Sequence, residues 1–138
     1  MIKSALKFSN WLGVSLVAVL AASPAMASDV YVIAHPSVSL TQMELRDVYL
    51  GKKQFAGSLK LAPVDNSAVQ GEFLAKAIKI DAIKYASLWT KLGFRGGLAS
   101  PLVMTGDAEV SRFVKNTAGS VGYISSPPPQ GVTQLFKY

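Results

Sequence analysis

The hydrophobic and polar positions of this chain form one uncharged apolar run followed by short periodic segments. The run, Trp11 through Ala22, follows Lys3 and Lys7 and leads into Ser23-Pro24-Ala25-Met26-Ala27. A basic start, an apolar middle and a small-residue end are the order of a secretory signal peptide, with cleavage expected after Ala27. A spanning helix needs about 20 apolar residues, and this run is shorter. Cleavage leaves residues 28–138, 111 residues in all, enough for one soluble domain with one modest core. Export in turn predicts a periplasmic location.

In the remaining chain the periods are clear. Val30-Tyr31-Val32-Ile33 reads as a buried strand that stops at His35-Pro36. Thr41-Gln42-Met43-Glu44 has the form of a capping box, with Leu40 and Leu45 as its staple, so a helix is predicted from Gln42. Its apolar face is Leu45, Val48 and Tyr49, and Gly51 suits its end. Leu59 to Val64 reads as a second strand, with Pro63 pointing to an edge or a strand end. Asp65-Asn66-Ser67 is expected to open the next helix, whose face is Phe73, Leu74, Ala77 and Ile78. Asp81 caps a helix carrying Tyr85, Leu88, Trp89 and Leu92 at helical spacing. Gly93, Gly96 and Gly97 are expected to end it in a loop that carries Phe94 and Arg95. A last helix is predicted from about Asp107 to Ala118, then strands at Val121–Ile124 and Thr133–Phe136, separated by Pro127-Pro128-Pro129. Strands alternating with helices imply an α/β fold, a small mixed sheet with helices packed on it.

Composition narrows the chemistry. The chain has 14 basic and 8 acidic residues, and losing Lys3 and Lys7 brings the net charge from +6 to +4. The lysines are scattered, which excludes the basic stripe of a nucleic-acid binder. With no cysteine there is no disulfide, thiolate metal site or cysteine nucleophile, and one histidine, His35, cannot build a histidine metal cluster. No phosphate loop, dinucleotide fingerprint or nucleophile elbow occurs, so neither a cofactor nor an enzymatic reaction is expected. Hydroxyl-bearing residues do stand ahead of predicted helices: Ser39 and Thr41 before the first, Ser67 before the second. Unpaired amides at a helix start, with such hydroxyls beside them, suit an oxyanion, and Arg95 could close on it as a forked donor. The same residues are also ordinary caps.

The run Glu44-Leu45-Arg46-Asp47-Val48-Tyr49-Leu50-Gly51-Lys52, the strand Leu61-Ala62-Pro63-Val64, Trp89 with Phe94 and Gly96, and Gly119-Ser120-Val121-Gly122-Tyr123-Ile124 together resemble periplasmic phosphate-binding components of ABC transporters. In particular the chain is similar to small single-domain members of that type 2 periplasmic-binding-protein superfamily, over roughly Ser39 to Ser125. The resemblance implies a single lobe of that fold and a phosphate-like ligand held by hydroxyls and amides. It carries over Ser67 alone from the family's Ser-Gly-Thr turn, since Ala68-Val69 replace Gly-Thr and Asp65-Asn66 stand where basic or glycine residues would be expected. A carboxylate at Asp65 opposes an anion unless it accepts a proton from it.

Two readings follow. In the first the protein holds phosphate or a similar oxyanion at Ser39, Thr41, Ser67 and Arg95 and serves an inner-membrane permease or sensor, with the site either shallow or completed by a second copy in a homodimer. In the second it is a ligand-free interaction module on the same fold, making contact through Phe94 to Gly97 or the proline-rich tail.

Overall fold

The computed structural model describes residues 28–138, and the export segment expected at 1–27 lies outside the described residues. A five-stranded mixed sheet forms the centre, built from β1 (Tyr31–Ala34), β4 (Ala62–Asn66), β5 (Leu102–Met104), β6 (Ser120–Ile124) and β7 (Thr133–Lys137) in the order β5-β4-β6-β1-β7. Strands β4, β5 and β6 run parallel, while β1 is antiparallel to both β6 and β7. A hairpin of β2 (Phe55–Ala56) and β3 (Leu59–Lys60) stands apart. The helices are α1 (Gln42–Tyr49), α2 (Gln70–Phe73) continuing into a π-helical turn Leu74–Ile78, α3 (Ala82–Gly96) and α4 (Asp107–Asn116). The α/β expectation holds.

Side-chain alternation along the strands splits the core between the two sheet faces. Val32, Ala34, Val121 and Tyr123 pack with residues of α1, α2 and α3. Ile33, Val64 and Ile124 pack with Val110 and Val114 of α4. Gly122 lies on this second face because there is no room for more: a Cβ there would stand 2.7 Å from Val110 Cγ1 and 2.9 Å from Val64 Cγ2. The first face has an aromatic centre, with Phe73 stacked on Tyr123 at 3.8 Å between centroids and edge-on to Tyr49 at 4.8 Å. Tyr49 donates its hydroxyl to Val64 O at 2.8 Å, tying the end of α1 to the sheet.

Local signals place the elements. Thr41 and Glu44 form the reciprocal capping box, at 3.2 and 3.1 Å. Asp81 accepts the Lys84 amide at 2.8 Å and starts α3. Several expectations need correcting. The stretch Leu59 to Val64 is two strands, since Leu59–Lys60 belongs to the hairpin and only Ala62 onward joins the main sheet. Pro63 is tolerated in a strand with neighbours on both sides because β5 pairing begins only at Val64, so its missing N–H faces no partner. Asp65 and Asn66 do not open a helix: they end β4, their side chains are buried, and α2 begins at Gln70 after a turn with no side-chain cap on Val69. Phe94 and Arg95 are not in a loop, because α3 runs through Gly93 to Gly96 and ends at Gly97 in the left-handed region, φ 63°. Strand β5 was not foreseen from sequence, and α4 ends at Asn116 rather than Ala118.

Candidate ligand cleft at Asp65

Parallel strands leave their carboxyl ends open for ligands, because the helices that follow them start there. At the carboxyl end of β4 the chain buries Asp65, which is only 2% exposed. Tyr85 of α3 donates its hydroxyl to Asp65 Oδ2 at 2.8 Å, and Tyr123 of β6 donates to Oδ1, also at 2.8 Å. Burial pushes the Asp65 carboxyl above its ordinary value, and the Tyr123 and Tyr85 hydroxyls offset only part of that. Burial, then the Asp65 charge, drives both tyrosine hydroxyls far above their ordinary value, so they act as donors.

Over Asp65 lies a cleft of about 360 Å³ between α3 and β5, walled by Tyr85, Trp89 and Thr90 on one side and Ser100, Pro101 and Val103 on the other, with Gln70 at the α2 end. No lysine or arginine lines it. Each Asp65 oxygen accepts one phenol hydrogen bond and the Gln70 side chain also hydrogen-bonds the carboxylate, which leaves about one of its roughly four acceptor sites open. The cleft can therefore take a small solute that brings a hydrogen-bond donor to Asp65.

Beside the cleft, on the α4 face, a second polar cluster is closed on itself. Asn66 Nδ2 donates to Asp107 Oδ1 at 2.9 Å and to Tyr123 O at 3.1 Å, and its Oδ1 accepts the Ala68 amide. Asp107 also accepts the Ser125 amide and the hydroxyls of Ser125 and Ser126. Desolvation works against the Asp107 carboxylate, but these donors outweigh it and hold its pKa below the ordinary value. This cluster fastens the strand ends that frame the cleft.

The four residues singled out in sequence are dispersed. Thr41 is committed to its capping box, and Ser39 is exposed just ahead of it. The segment leading to them is pinned at the opposite end of the sheet, where Ser37 Oγ accepts the Gly119 amide at 3.2 Å beside the start of β6. Ser67 is exposed in the turn after β4 and donates its amide to Met104 O at 2.9 Å. Arg95 is exposed in the last turn of α3, ten residues beyond Tyr85, about 15 Å along a helix axis. His35 takes part in a turn, its Nδ1 2.7 Å from Ser37 Oγ and accepting the Ser37 amide at 3.1 Å. Among the described residues no group of acidic or histidine side chains could hold a metal ion. The cleft itself was not found in sequence; its one signal was a carboxylate closing the apolar strand Ala62-Pro63-Val64.

No protein-family model matches the sequence, and no curated protein matches it. Among solved structures the chain is similar to an ABC-type phosphate transport receptor from Vibrio cholerae, at 16% identity and TM-score 0.48 over 79% of this chain and 46% of that one. It is also similar to a phosphate ABC transporter substrate-binding protein with bound phosphate, described as putative, from Clostridium perfringens, at 16% identity and TM-score 0.50 over 79% of this chain and 45% of that one. The second likeness is one of fold, and the chain spans just under half the length of these neighbours.

Proposed function

We propose that the protein is an exported, periplasmic solute-binding lobe whose ligand is phosphate or a similar oxyanion in a proton-bearing form, held in the cleft over Asp65. One observation carries this reading: a buried carboxylate, raised in proton affinity and with some acceptor capacity left, at the base of an open cleft that no cation lines. A fully ionised anion would be repelled there, whereas an oxyanion that still carries a proton can donate it to Asp65. Gln70 and Ser100 supply further polar groups at the walls. Ser67 follows Asp65 by two residues, whereas Ser39, Thr41 and Arg95 do not line this cleft and hold no ligand in this reading. Delivery to an inner-membrane permease or a sensor is the role this binding serves.

Phosphate and sulfate separate the cases, since phosphate keeps a proton at neutral pH and sulfate does not. Saturating phosphate, at 100 times its dissociation constant, is expected to stabilise the protein by about 2.7 kcal/mol, and sulfate to do nothing. Equal shifts with both ions, or none with either at millimolar concentration, would reject the reading.

A further inference from the structure

The cleft over Asp65 is larger than the ion that the oxyanion reading places in it. Inorganic phosphate displaces roughly two or three waters, about 60–90 Å³ at the volume a water occupies in the liquid, whereas the cleft holds about 360 Å³. That volume lies in the range of sites for organic ligands, about 300–1,000 Å³, which set a few polar groups in mostly apolar walls. The walls here have that composition. Asp65 forms the base with Gln70 beside it, and Ala82, Ala86 and Trp89 of α3 face Pro101 and Val103 across the cleft. Thr90 also borders it, but its hydroxyl donates to Ala86 O at 3.0 Å, so its proton is committed.

Inorganic phosphate turns oxygens in every direction and would set some of them against Ala86, Pro101 and Val103, whose side chains offer no hydrogen bond. An acid with one carbon substituent removes that mismatch. Its acid group is constrained as well. Asp65 keeps some acceptor capacity for a ligand proton, Gln70 has a second amide N–H beyond the one on Asp65, and the Ser100 hydroxyl is a further donor. The ligand must therefore hold a proton at neutral pH while carrying a carbon group. A phosphate monoester fails the first condition, since it loses its second proton at about pH 6. A phosphonate meets both, because carbon on phosphorus withdraws less electron density than an ester oxygen and the remaining proton is held to higher pH.

Given the oxyanion reading, on which this rests, we infer that the ligand of the cleft is a small organophosphonate, its P–OH donating to Asp65, its other oxygens accepting from Gln70 and Ser100, and its alkyl or aryl group lying against Ala86, Pro101 and Val103. The titratable groups facing Asp65 are Tyr85 of α3, Tyr123 of β6 and Tyr49 of α1, and burial drives all three hydroxyls up, so they stay protonated at neutral pH. Titration of Asp65 itself acts on a phosphonate and an ester alike. The proton that separates the two is the ligand's own.

Calorimetric titration with inorganic phosphate, with methyl-, ethyl- and propylphosphonate, and with ethyl phosphate tests this. Affinity should rise along the phosphonate series by about fourfold per methylene buried, so that propylphosphonate binds about tenfold or more tighter than methylphosphonate. Ethyl phosphate has nearly the shape of propylphosphonate, with oxygen in place of one methylene. It should bind several-fold more weakly at about pH 7, the gap closing as the pH falls through the ester's second pKa of about 6. In Ala86→Ser/Val103→Ser, both at exposed positions and with folding checked by melting, the rise along the series should shrink to about twofold or less. Phosphate binding with no gain along the series, or an ester that matches its phosphonate at about pH 7, would overturn this ligand class and leave the oxyanion reading standing. A gain that the double variant leaves intact would overturn the placement of the carbon group. No binding of phosphate or of any of these acids would overturn both the ligand class and the oxyanion reading.

Discussion

The hydroxyl of Tyr123 lies 2.8 Å from Oδ1 of Asp65, joining a residue of the central strand β6 to the carboxylate at the end of its parallel neighbour β4. Both residues are buried, Tyr123 completely. Removing the hydroxyl leaves one carboxylate oxygen with no donor in a site that water enters only through the cleft. Hydrogen bonds to charged groups are worth about 1.5–3 kcal/mol, so Tyr123→Phe should destabilise the protein by an amount in that range at neutral pH. Urea unfolding followed by circular dichroism measures it, and Tyr85→Phe, at the half of the pair nearer the cleft mouth, should cost less.

Asp65 also gives stability a definite pH dependence. Its pKa in the fold is raised above the ordinary 3.8, so between those two values the native state binds more protons than the unfolded one. Stability is then fully present below the unfolded pKa and falls as pH rises through the folded one. Asp107 acts the other way, since its depressed pKa gives stability that is lost as pH falls below the ordinary range. Unfolding free energies across the acidic range should thus show Asp65→Asn flattening the decline on the upper side and Asp107→Asn flattening the loss on the lower side.

Gly122 tests the packing of the second face. Its backbone needs no left-handed conformation, so the effect of a side chain there is purely one of space. The Cβ of Gly122→Ala would meet Val110 Cγ1 at 2.7 Å and Val64 Cγ2 at 2.9 Å, and both belong to the fully packed cluster against α4. Overpacking of this kind costs about 1–3 kcal/mol. Thermal melts should show the loss, and the double variant Gly122→Ala/Val110→Ala should recover part of it.

Thr41→Ala separates the two places where an oxyanion could sit. Loss of the cap costs about 1 kcal/mol through α1, whatever the ligand does. If phosphate binds over Asp65, its affinity in Thr41→Ala should equal that of the wild type, and Asp65→Asn should weaken it. The reverse pattern in a calorimetric titration would move the site to the start of α1.

Residues whose partners are near in sequence announced their structure, and residues whose partners are distant did not. Thr41 and Glu44 form a cap within four residues, and the faces Leu45-Val48-Tyr49 and Tyr85-Trp89 follow from helical period alone. Asp65 and Asn66 read as a helix start because carboxylates and amides commonly cap helices. Their partners, Tyr123 and Asp107, lie 58 and 41 residues away, and only the assembled sheet brings them together. The same holds for β5: three residues with two exposed carry no period, and their pairing with β4 depends on the helix between them. Gly93 suggested an end to α3, yet a glycine inside a helix costs only about 1 kcal/mol, and Leu92 packing against the core holds the helix past it.

Trp89 offers a direct readout of the cleft. The full sequence has two tryptophans, Trp11 and Trp89, and cleavage after Ala27 would remove the first. Trp89 is buried, donates its indole N–H to Tyr49 O at 3.0 Å and walls the cleft over Asp65. Protein cut after Ala27, its new N-terminus read by mass spectrometry at Ser28, should therefore emit from one ordered indole. Phosphate entering the cleft displaces water from the open side of that ring and should change its emission saturably, with the same dissociation constant as calorimetry. Sulfate should leave the spectrum unchanged. In Asp65→Asn the phosphate response should shift to higher concentration, because the acceptor for the ligand's proton is weakened while the indole and its bond to Tyr49 remain. A spectrum indifferent to phosphate in a protein that calorimetry shows to bind it would place the ligand elsewhere on the lobe.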